Sequence, residues 1–153
     1  PKGHFRDLVE RLVEELGVDV VLVGGEEDVP YVKGFVDELA CSDGVADLTG
    51  KLKLPELVEL LKRSALYVGN DSSILHLAVA LGVPTVSFFG PETPDLYGPL
   101  GDAHKVFYAD LPCSPCLAAY NFKSSDCEDN ICLERIGVEE VFDACRQMLA
   151  EGG

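Results

Sequence analysis

The residues best suited to chemistry follow a short apolar run, at the point where a predicted strand gives way to a predicted helix. In order they are Asn70, Asp71, Ser72 and Ser73. The first N–H groups of a helix have no partner inside the helix and lie at the positive end of its dipole. Small residues at that point let an anion approach the backbone closely. The sequence therefore predicts a phosphate site around Ser72 and Ser73, with His76 one turn further on and directed toward it.

Asp71 and His76 also have an ordinary structural interpretation. Asp is a preferred residue at the start of a helix, so Asp71 is also expected as a simple N-cap. His76 lies off the apolar stripe that we predict for this helix. In the structural interpretation it is only a packed or surface side chain. That stripe is predicted to consist of Ile74, Leu77, Ala78 and Leu81. A capping residue can also face a ligand, so the residues alone leave both interpretations open.

Predicted strands and helices alternate along the chain. The predicted strands are residues 18–23, 45–48, 65–68, 84–89 and 104–109. The predicted helices are residues 5–16, 30–39, 55–63, 72–81 and 138–149. This alternation is typical of right-handed βαβ units in an α/β fold, with a parallel sheet covered by helices on both faces. We predict a single domain over residues 1–153, and because its first element is a helix we expect an upstream strand to be missing.

The charge of the chain limits its partners. Twenty-seven acidic and twelve basic residues give a net charge of −15. Such a surface repels phosphate backbones and anionic lipid, which excludes nucleic acid and a membrane surface as preferred partners. No apolar run approaches the roughly twenty residues of a transmembrane segment, and the first residues do not resemble a secretory signal. We expect a cytoplasmic protein.

Four cysteines cluster in a predicted loop over residues 110–135. They are Cys113, Cys116, Cys127 and Cys132, and the first pair has a spacing common in zinc sites. A structural zinc ion, two disulfides, and four reduced thiols in an ordered loop all fit this spacing. Cys41 and Cys145 are expected to be ordinary side chains.

Residues 70–91 closely resemble glycosyltransferase family 9, which includes the bacterial heptosyltransferases of the lipopolysaccharide inner core. Several flanking pieces resemble the same family in the same order: Gly24-Gly25 with an acidic residue soon after, Leu48-Thr49-Gly50, Gly98-Pro99 and Cys113-Ser114-Pro115-Cys116. The resemblance covers nearly the whole chain but only the C-terminal half of that family's enzymes. It implies a Rossmann-like domain, the donor-binding half of a GT-B fold.

The resemblance also implies roles for six residues. Asp71 resembles the carboxylate that holds hydroxyls of the donor sugar. Ser72 and Ser73 resemble the diphosphate cradle, with His76 close by. The family usually has glycine where Ser73 stands, and serine leaves less room for a phosphate.

Two of the six residues lie in the first third of the chain. Asp28 resembles the acidic group that binds the ribose, although a solvated acidic loop explains it equally well because Glu26 and Glu27 are adjacent. Leu52 is similar in position to the residue that packs against the base.

The activity implied is transfer of a heptose-like sugar from a nucleoside diphosphate, typically ADP, to a lipopolysaccharide-core acceptor. The transfer would be inverting and metal-independent, with a helix start and His76 stabilising the leaving phosphates and no cofactor required. The family's acceptor domain, which binds the lipid-linked saccharide and supplies the general base, is absent from the sequence. We therefore name no catalytic residue, and we expect the chain alone to bind weakly and transfer nothing. The full enzyme is expected to work at the inner face of the membrane.

Two other classes of function compete. A nucleotide-sugar epimerase or a hexosaminyl transferase of the same fold usually has a glutamate in the helix after the Asp-Ser pair, and residues 72–81 contain none. A non-enzymatic nucleotide- or zinc-binding module is the alternative outside enzymes.

Overall fold

The computed structural model describes residues 1–117 and 124–152 of the chain, in which helices and strands alternate. The strands are β1 (Val20–Leu22), β2 (Val45–Asp47), β3 (Tyr67–Asn70), β4 (Thr85–Phe89) and β5 (His104–Tyr108). The helices are α1 (Lys2–Leu16), α2 (Val29–Val36), α3 (Leu54–Arg63), α4 (Ser73–Ala80), α5 (Pro94–Tyr97), α6 (Ile131–Glu134) and α7 (Val138–Glu151). A 3₁₀ turn at Glu26–Asp28 precedes α2.

The chain divides into two compact units, an N-terminal unit (Pro1–Leu60) and a C-terminal unit (Leu61–Gly153). In the N-terminal unit β1 and β2 pair in parallel. In the C-terminal unit the strand order is β3-β4-β5, and both pairings are parallel. The predicted α/β class with parallel strands is confirmed. The single donor-binding domain over residues 1–153 stays a prediction.

In the N-terminal unit, the turns that follow β1 and β2 lie side by side. The N–H of Gly50 donates to the carbonyl of Gly24 at 3.0 Å, which joins the two turns. Gly50 has a φ of +69°, and a Cβ at this position would lie 2.8 Å from Cγ2 of Val29. Only glycine meets both conditions without strain. The carboxyl ends of both strands therefore meet at one edge, the edge at which parallel sheets bind ligands.

The core of the C-terminal unit surrounds β4. All five residues of this strand are buried, which requires cover on both of its faces. Helix α4 packs against β3 and β4, and α6 and α7 pack against β4. The most deeply buried apolar side chains of this unit are Leu75, Ala78, Val86, Phe89, Phe142 and Cys145.

The predicted buried stripe of α4 is wrong in part. Leu75 and Ala78 are fully buried, whereas Ile74, Leu77 and Leu81 are half-buried. Nearly every residue of α4 is apolar, so the sequence pattern does not fix which side faces the sheet. Leu75 takes the central position because α4 packs on two strands at once.

Short elements and some boundaries also differ from the prediction. The four-residue helices α5 and α6 lie in segments that we predicted as loops, and α6 falls within the cysteine segment (residues 110–135). Strand β3 extends to Asn70, past the end predicted at residue 68. Residues 118–123 of the cysteine segment lie outside the described residues. Among the helices of the described ranges, none combines the length and apolar character needed to cross a membrane.

Candidate functional site

The connection between β3 and α4 is short and held at both ends. The N–H of Asp71 donates to the carbonyl of Phe88 at 3.2 Å, which continues the pairing of β3 with β4. Ser72 has extended backbone angles, and its Oγ accepts from the N–H of Leu75 at 3.3 Å. Ser72 is therefore the N-cap of α4. The interpretation of Asp71 as a simple N-cap is wrong, and its carboxylate is left for other contacts.

The cap determines which backbone donors remain at the start of α4 (residues 70–76), called here the α4 start. His76 is the first residue whose N–H donates to a carbonyl one turn earlier, that of Ser72 at 3.3 Å. The N–H of Leu75 is taken by the cap. Those of Ser73 and Ile74 have no partner among the described residues, as the first turn of a helix dictates. Two adjacent N–H groups at the positive end of the helix dipole can therefore bind an anion.

Asp71 and His76 meet at the α4 start. Nε2 of His76 lies 3.3 Å from Oδ1 of Asp71, with side-chain exposures of 51% and 26%. The contact is a hydrogen bond when the imidazole is neutral and an ion pair when it is protonated. This distance places the His76 imidazole beside Asp71 at the α4 start, and its direction toward a phosphate stays a prediction. The roles of both residues in donor binding stay predictions.

Tyr67 contacts Ser72, the N-cap of α4, and was not among the predicted site residues. Its hydroxyl lies 3.3 Å from Oγ of Ser72. Burial raises the pKa of Tyr67, and the hydrogen bond with Ser72 opposes that shift. A Cβ at Gly69 would lie 2.5 Å from the Tyr67 hydroxyl, so glycine there makes room for the ring. The sequence contains a signal for this contact: Tyr67 and Gly69 are two residues apart in a strand and therefore share a face.

A pocket of about 210 Å³ lies beside Asp71. Its wall combines three polar with four apolar side chains and one glycine. The lining residues are Asn70, Asp71, Phe88, Gly90, Pro91, Glu92, Leu117 and Leu133. Glu92 is a buried residue with 9% exposure. No sequence pattern predicted Glu92 as a pocket residue, since it lies in a loop without a periodic pattern.

Asp28 and Leu52, the two predicted site residues of the N-terminal unit, lie in the turns that follow β1 and β2. Asp28 ends the 3₁₀ turn, is exposed, and accepts from the N–H of Gly25 through Oδ2 at 2.9 Å. Leu52 is half-buried in the connection from β2 to α3. The structure brings the other four, Asp71, Ser72, Ser73 and His76, together at the α4 start in the C-terminal unit.

The cysteine segment (residues 110–135) is anchored on the turn that follows β4. Oγ of Ser114 donates to the carbonyl of Gly90, and the N–H of Cys116 donates to the carbonyl of Pro91 at 2.9 Å. Sγ of Cys132 packs so closely on Gly90 that a Cβ there would lie 2.7 Å from it. The segment thereby places Leu117 and Leu133 in the pocket wall.

The structure contains no disulfide among the six cysteines, all of which lie in the described residues. Cys113 and Cys127 are exposed, and Cys132 is buried. Burial raises the pKa of the Cys132 thiol, and the neighbouring Cys116 and Cys127 add to the shift. Within residues 1–117 and 124–152, no three side chains of the kinds that bind metals come together as a site. The zinc site and the disulfides stay predictions.

Comparison with known proteins gives a consistent result. The family model of glycosyltransferase family 9 (heptosyltransferase) matches residues 1–124. Lipopolysaccharide heptosyltransferase 1 of Pseudomonas aeruginosa is 34% identical over 117 residues, which are 76% of this chain and 32% of that protein. Lipopolysaccharide heptosyltransferase 2 of Escherichia coli is 32% identical over 108 residues, which are 69% of this chain and 31% of that protein. The chain thus spans about a third of the length of these curated relatives.

A solved structure extends the similarity to the whole fold. The structure of the E. coli ADP-heptose lps heptosyltransferase II superposes with a TM-score of 0.79 and 25% identity. The superposition covers 99% of this chain and 42% of that chain. The Rossmann-like α/β architecture is confirmed by this match.

Proposed function

Because the chain belongs to glycosyltransferase family 9 (heptosyltransferase), we propose that it is the donor-binding part of a glycosyltransferase. The proposed enzyme transfers a heptose-like sugar from ADP to a lipopolysaccharide-core acceptor. Two relatives named as lipopolysaccharide heptosyltransferases support the reaction, and the name of the similar solved structure supports ADP-heptose as the donor. We assign the lipid-linked acceptor to the part of the enzyme that corresponds to the remaining length of these relatives.

The observation that carries the proposal is the arrangement at the α4 start. The N–H groups of Ser73 and Ile74, which have no partner among the described residues, lie at the positive end of the helix. The Asp71–His76 pair, 3.3 Å between Oδ1 and Nε2, lies at the same helix start. The N–H groups suit the diphosphate because they donate hydrogen bonds to anionic oxygens, and the imidazole does the same through Nδ1 when it is protonated. The carboxylate suits hydroxyls of the sugar, because it only accepts hydrogen bonds.

This arrangement assigns a role to each group in the reaction. The oxygen of an acceptor hydroxyl attacks the anomeric carbon while the bond from that carbon to the phosphate oxygen breaks. The electron pair of that bond leaves with ADP, and the hydroxyl proton passes to a general base outside this chain. Negative charge grows on the phosphate, where the N–H groups of Ser73 and Ile74 and the imidazole of His76 stabilise it. Direct attack inverts the anomeric carbon, and these groups do the work that a metal ion does elsewhere, so no cofactor is required.

Ser73 is compatible with this role although the family usually has glycine there. As the first residue of α4 it has helical backbone angles, and its side chain is exposed. We propose that its backbone N–H, and not its hydroxyl, holds the phosphate.

The roles of Asp28 and Leu52 rest on the family resemblance. We propose that Asp28 accepts hydrogen bonds from the ribose hydroxyls and that Leu52 packs against the base. The bond from Gly25 orients the Asp28 carboxylate before ligand arrives, which lowers the entropy cost of binding. A lipid-linked acceptor would bring the enzyme to the inner face of the membrane.

The experiment is a thermal-shift titration of the chain with ADP, UDP, GDP and ADP-heptose. A ligand that binds only the folded state adds about 2.7 kcal/mol at a hundred times its dissociation constant. We expect ADP to stabilise the chain more than UDP or GDP, and ADP-heptose to stabilise it most. Asp71→Asn should remove the additional stabilisation by ADP-heptose relative to ADP, and Asp28→Asn should weaken the binding of all four ligands. Glu27→Gln, one residue from Asp28, is the control and should change neither.

The same titration is repeated on a two-domain version, in which the chain is joined to an acceptor domain of the family. No response to the four nucleotides in either form would contradict the proposal. Bound zinc without nucleotide affinity would favour a non-enzymatic module instead.

A further inference from the structure

Cys116 and Cys132 contact the same turn, the one that follows β4, although other residues separate them in sequence. The N–H of Cys116 donates to the carbonyl of Pro91 at 2.9 Å. Sγ of Cys132 packs on the adjacent Gly90, so closely that a Cβ there would lie 2.7 Å from it. Two stretches of the cysteine segment (residues 110–135) are therefore held against neighbouring positions of one turn.

Two further observations place these stretches side by side. Leu117 and Leu133, which directly follow the two cysteines, both line the pocket beside Asp71. Burial raises the pKa of the Cys132 thiol, and the charge of Cys116 raises it further. Because such an electrostatic effect weakens with distance, the two sulfur atoms lie near each other.

The neighbouring thiols differ in their access to solvent. Cys132 is 6% exposed and Cys116 is half-buried. A dissolved oxidant can therefore reach Cys116, whereas Cys132 reacts only with a sulfur that is already beside it. Cys127 is exposed and also raises the pKa of Cys132, but less than Cys116 does. The favoured partner of Cys132 is thus Cys116.

We propose that Cys116 and Cys132 form a reversible disulfide, which closes the cysteine segment on the turn after β4. The bond would join the two stretches that carry Leu117 and Leu133 and would fix that wall of the pocket. Reduction would release the wall again. The chain would thus carry a redox-sensitive closure beside Asp71, which goes beyond the proposed function and does not depend on it.

The oxidant in this proposal is a small-molecule disulfide such as oxidised glutathione. The Cys116 thiolate attacks one sulfur of the oxidant, its S–S bond breaks, and one glutathione thiolate leaves. The Cys132 thiol then loses its proton to water, and its thiolate attacks the sulfur of Cys116 and displaces the second glutathione thiolate. Two protein thiols are oxidised, and one glutathione disulfide is reduced. Excess dithiothreitol reverses both steps.

Mass-spectrometric mapping of the folded chain tests the pairing. The chain is incubated with oxidised glutathione, alkylated, and cleaved with trypsin and a glutamate-specific protease. Cleavage after Lys123 and Glu128 separates Cys116, Cys127 and Cys132 from one another. We expect a bond between the fragments of Cys116 and Cys132 that dithiothreitol removes. A main product that joins Cys127 to either of them, or that carries only glutathione adducts, would overturn the proposal.

Cys113→Ser makes the mapping unambiguous, because no cleavage site separates Cys113 from Cys116. Cys113 is exposed, so this variant should form the same bond with Cys132. Loss of the bond in Cys113→Ser would show that Cys113, and not Cys116, is the partner.

Thermal unfolding measures the effect of the closure. A disulfide that closes a loop of this length should raise the melting temperature of the oxidised chain by roughly 5 °C or more over the reduced chain. The amides of Leu117 and Leu133 should also exchange their hydrogens more slowly after oxidation. Cys116→Ser should lose both effects, and Cys113→Ser should keep them. Equal gains in the two variants would contradict the proposal.

A zinc ion is the competing partner of these thiols. Within residues 1–117 and 124–152, no three metal-binding side chains come together, whereas a disulfide requires only two thiols. Metal analysis of the purified chain decides between them. One equivalent of zinc that blocks alkylation of Cys116 and Cys132 until a chelator is added would overturn the disulfide. None of these measurements uses a nucleotide, so the proposed function and this proposal can fail separately.

Discussion

Oδ1 of Asp71 lies 3.3 Å from Nε2 of His76, across the first turn of α4. The two residues are five positions apart, and the contact forms because Ser72, not Asp71, caps the helix. The cap leaves the Asp71 carboxylate available to orient the imidazole. A hydrogen-bond acceptor for a sugar and a donor for a phosphate are thereby fixed next to each other. The pair therefore matches the proposed donor, in which the sugar is attached directly to the diphosphate.

Replacement of His76 tests its part in phosphate binding. His76→Gln keeps a polar side chain of similar length but cannot be charged. We expect the dissociation constant for ADP to rise by roughly tenfold, the effect of one hydrogen bond to a charged group. Calorimetric titration measures it. His4→Gln, on α1 in the N-terminal unit, is the matched control, and an equal loss in both variants would refute the assignment.

The Tyr67 hydroxyl and the Ser72 cap are expected to act together. Tyr67→Phe removes the hydroxyl alone, and Ser72→Ala removes the cap at a cost of about 1 kcal/mol. Each should lower the free energy of unfolding. The two hydroxyls are 3.3 Å apart, so the effects of the two substitutions should be coupled. We expect Tyr67→Phe to lower the free energy of unfolding by about 0.5 kcal/mol less in the Ser72→Ala background than in the unmodified chain, which is roughly half the net contribution of a hydrogen bond. Urea unfolding of the four proteins in this cycle measures the coupling, and strict additivity would show that the contact stabilises nothing.

The burial of the Cys145 thiol predicts that the chain loses stability at high pH. It is fully buried in α7, and burial raises the pKa of its thiol from 9.0 to about 12. Between these values the unfolded chain loses the proton and the folded chain retains it. The free energy of unfolding therefore falls as pH rises above about 9, by at most about 1.4 kcal/mol per pH unit from this thiol.

Urea unfolding under reducing conditions at pH 8, 9 and 10 measures this dependence. Cys145→Ala is less stable at every pH because it leaves a cavity, but its free energy of unfolding should fall less steeply above pH 9. Cys113→Ala, which removes an exposed thiol, should keep the full slope. Equal slopes in the unmodified chain and Cys145→Ala would contradict the account.

The repeating elements of the fold were predictable from sequence, for a physical reason. A strand covered on both faces favours apolar or small side chains, and the fully buried β4 combines Val86, Phe88 and Phe89 with the small Thr85 and Ser87. Glycine marks the end of α1, where Gly17 adopts a φ of 65°. Such local requirements are visible in single residues and short periods.

The features that were missed depend on tertiary contacts. The phase of α4 follows from its packing on two strands, which put Leu75 at the centre. The pocket exists because residues far apart in sequence, such as Asn70, Glu92 and Leu133, meet at the ends of β3 and β4. No local pattern contains that information. The Ser72 cap was also missed, because Asp71 and Ser72 are both favoured capping residues and only the backbone angles distinguish them.

The most direct test of the central claim is amide NMR of the isotopically labelled chain during titration with ADP. At 16.5 kDa the chain suits two-dimensional nitrogen–proton spectra. We predict that the amide signals of Ser73 and Ile74 show the largest shifts in the C-terminal unit, because their N–H groups bind the diphosphate. Adenosine, which lacks phosphates, should leave these two signals in place. Saturable ADP binding that shifts other amides and leaves Ser73 and Ile74 unmoved would contradict the assignment of the α4 start as the phosphate site.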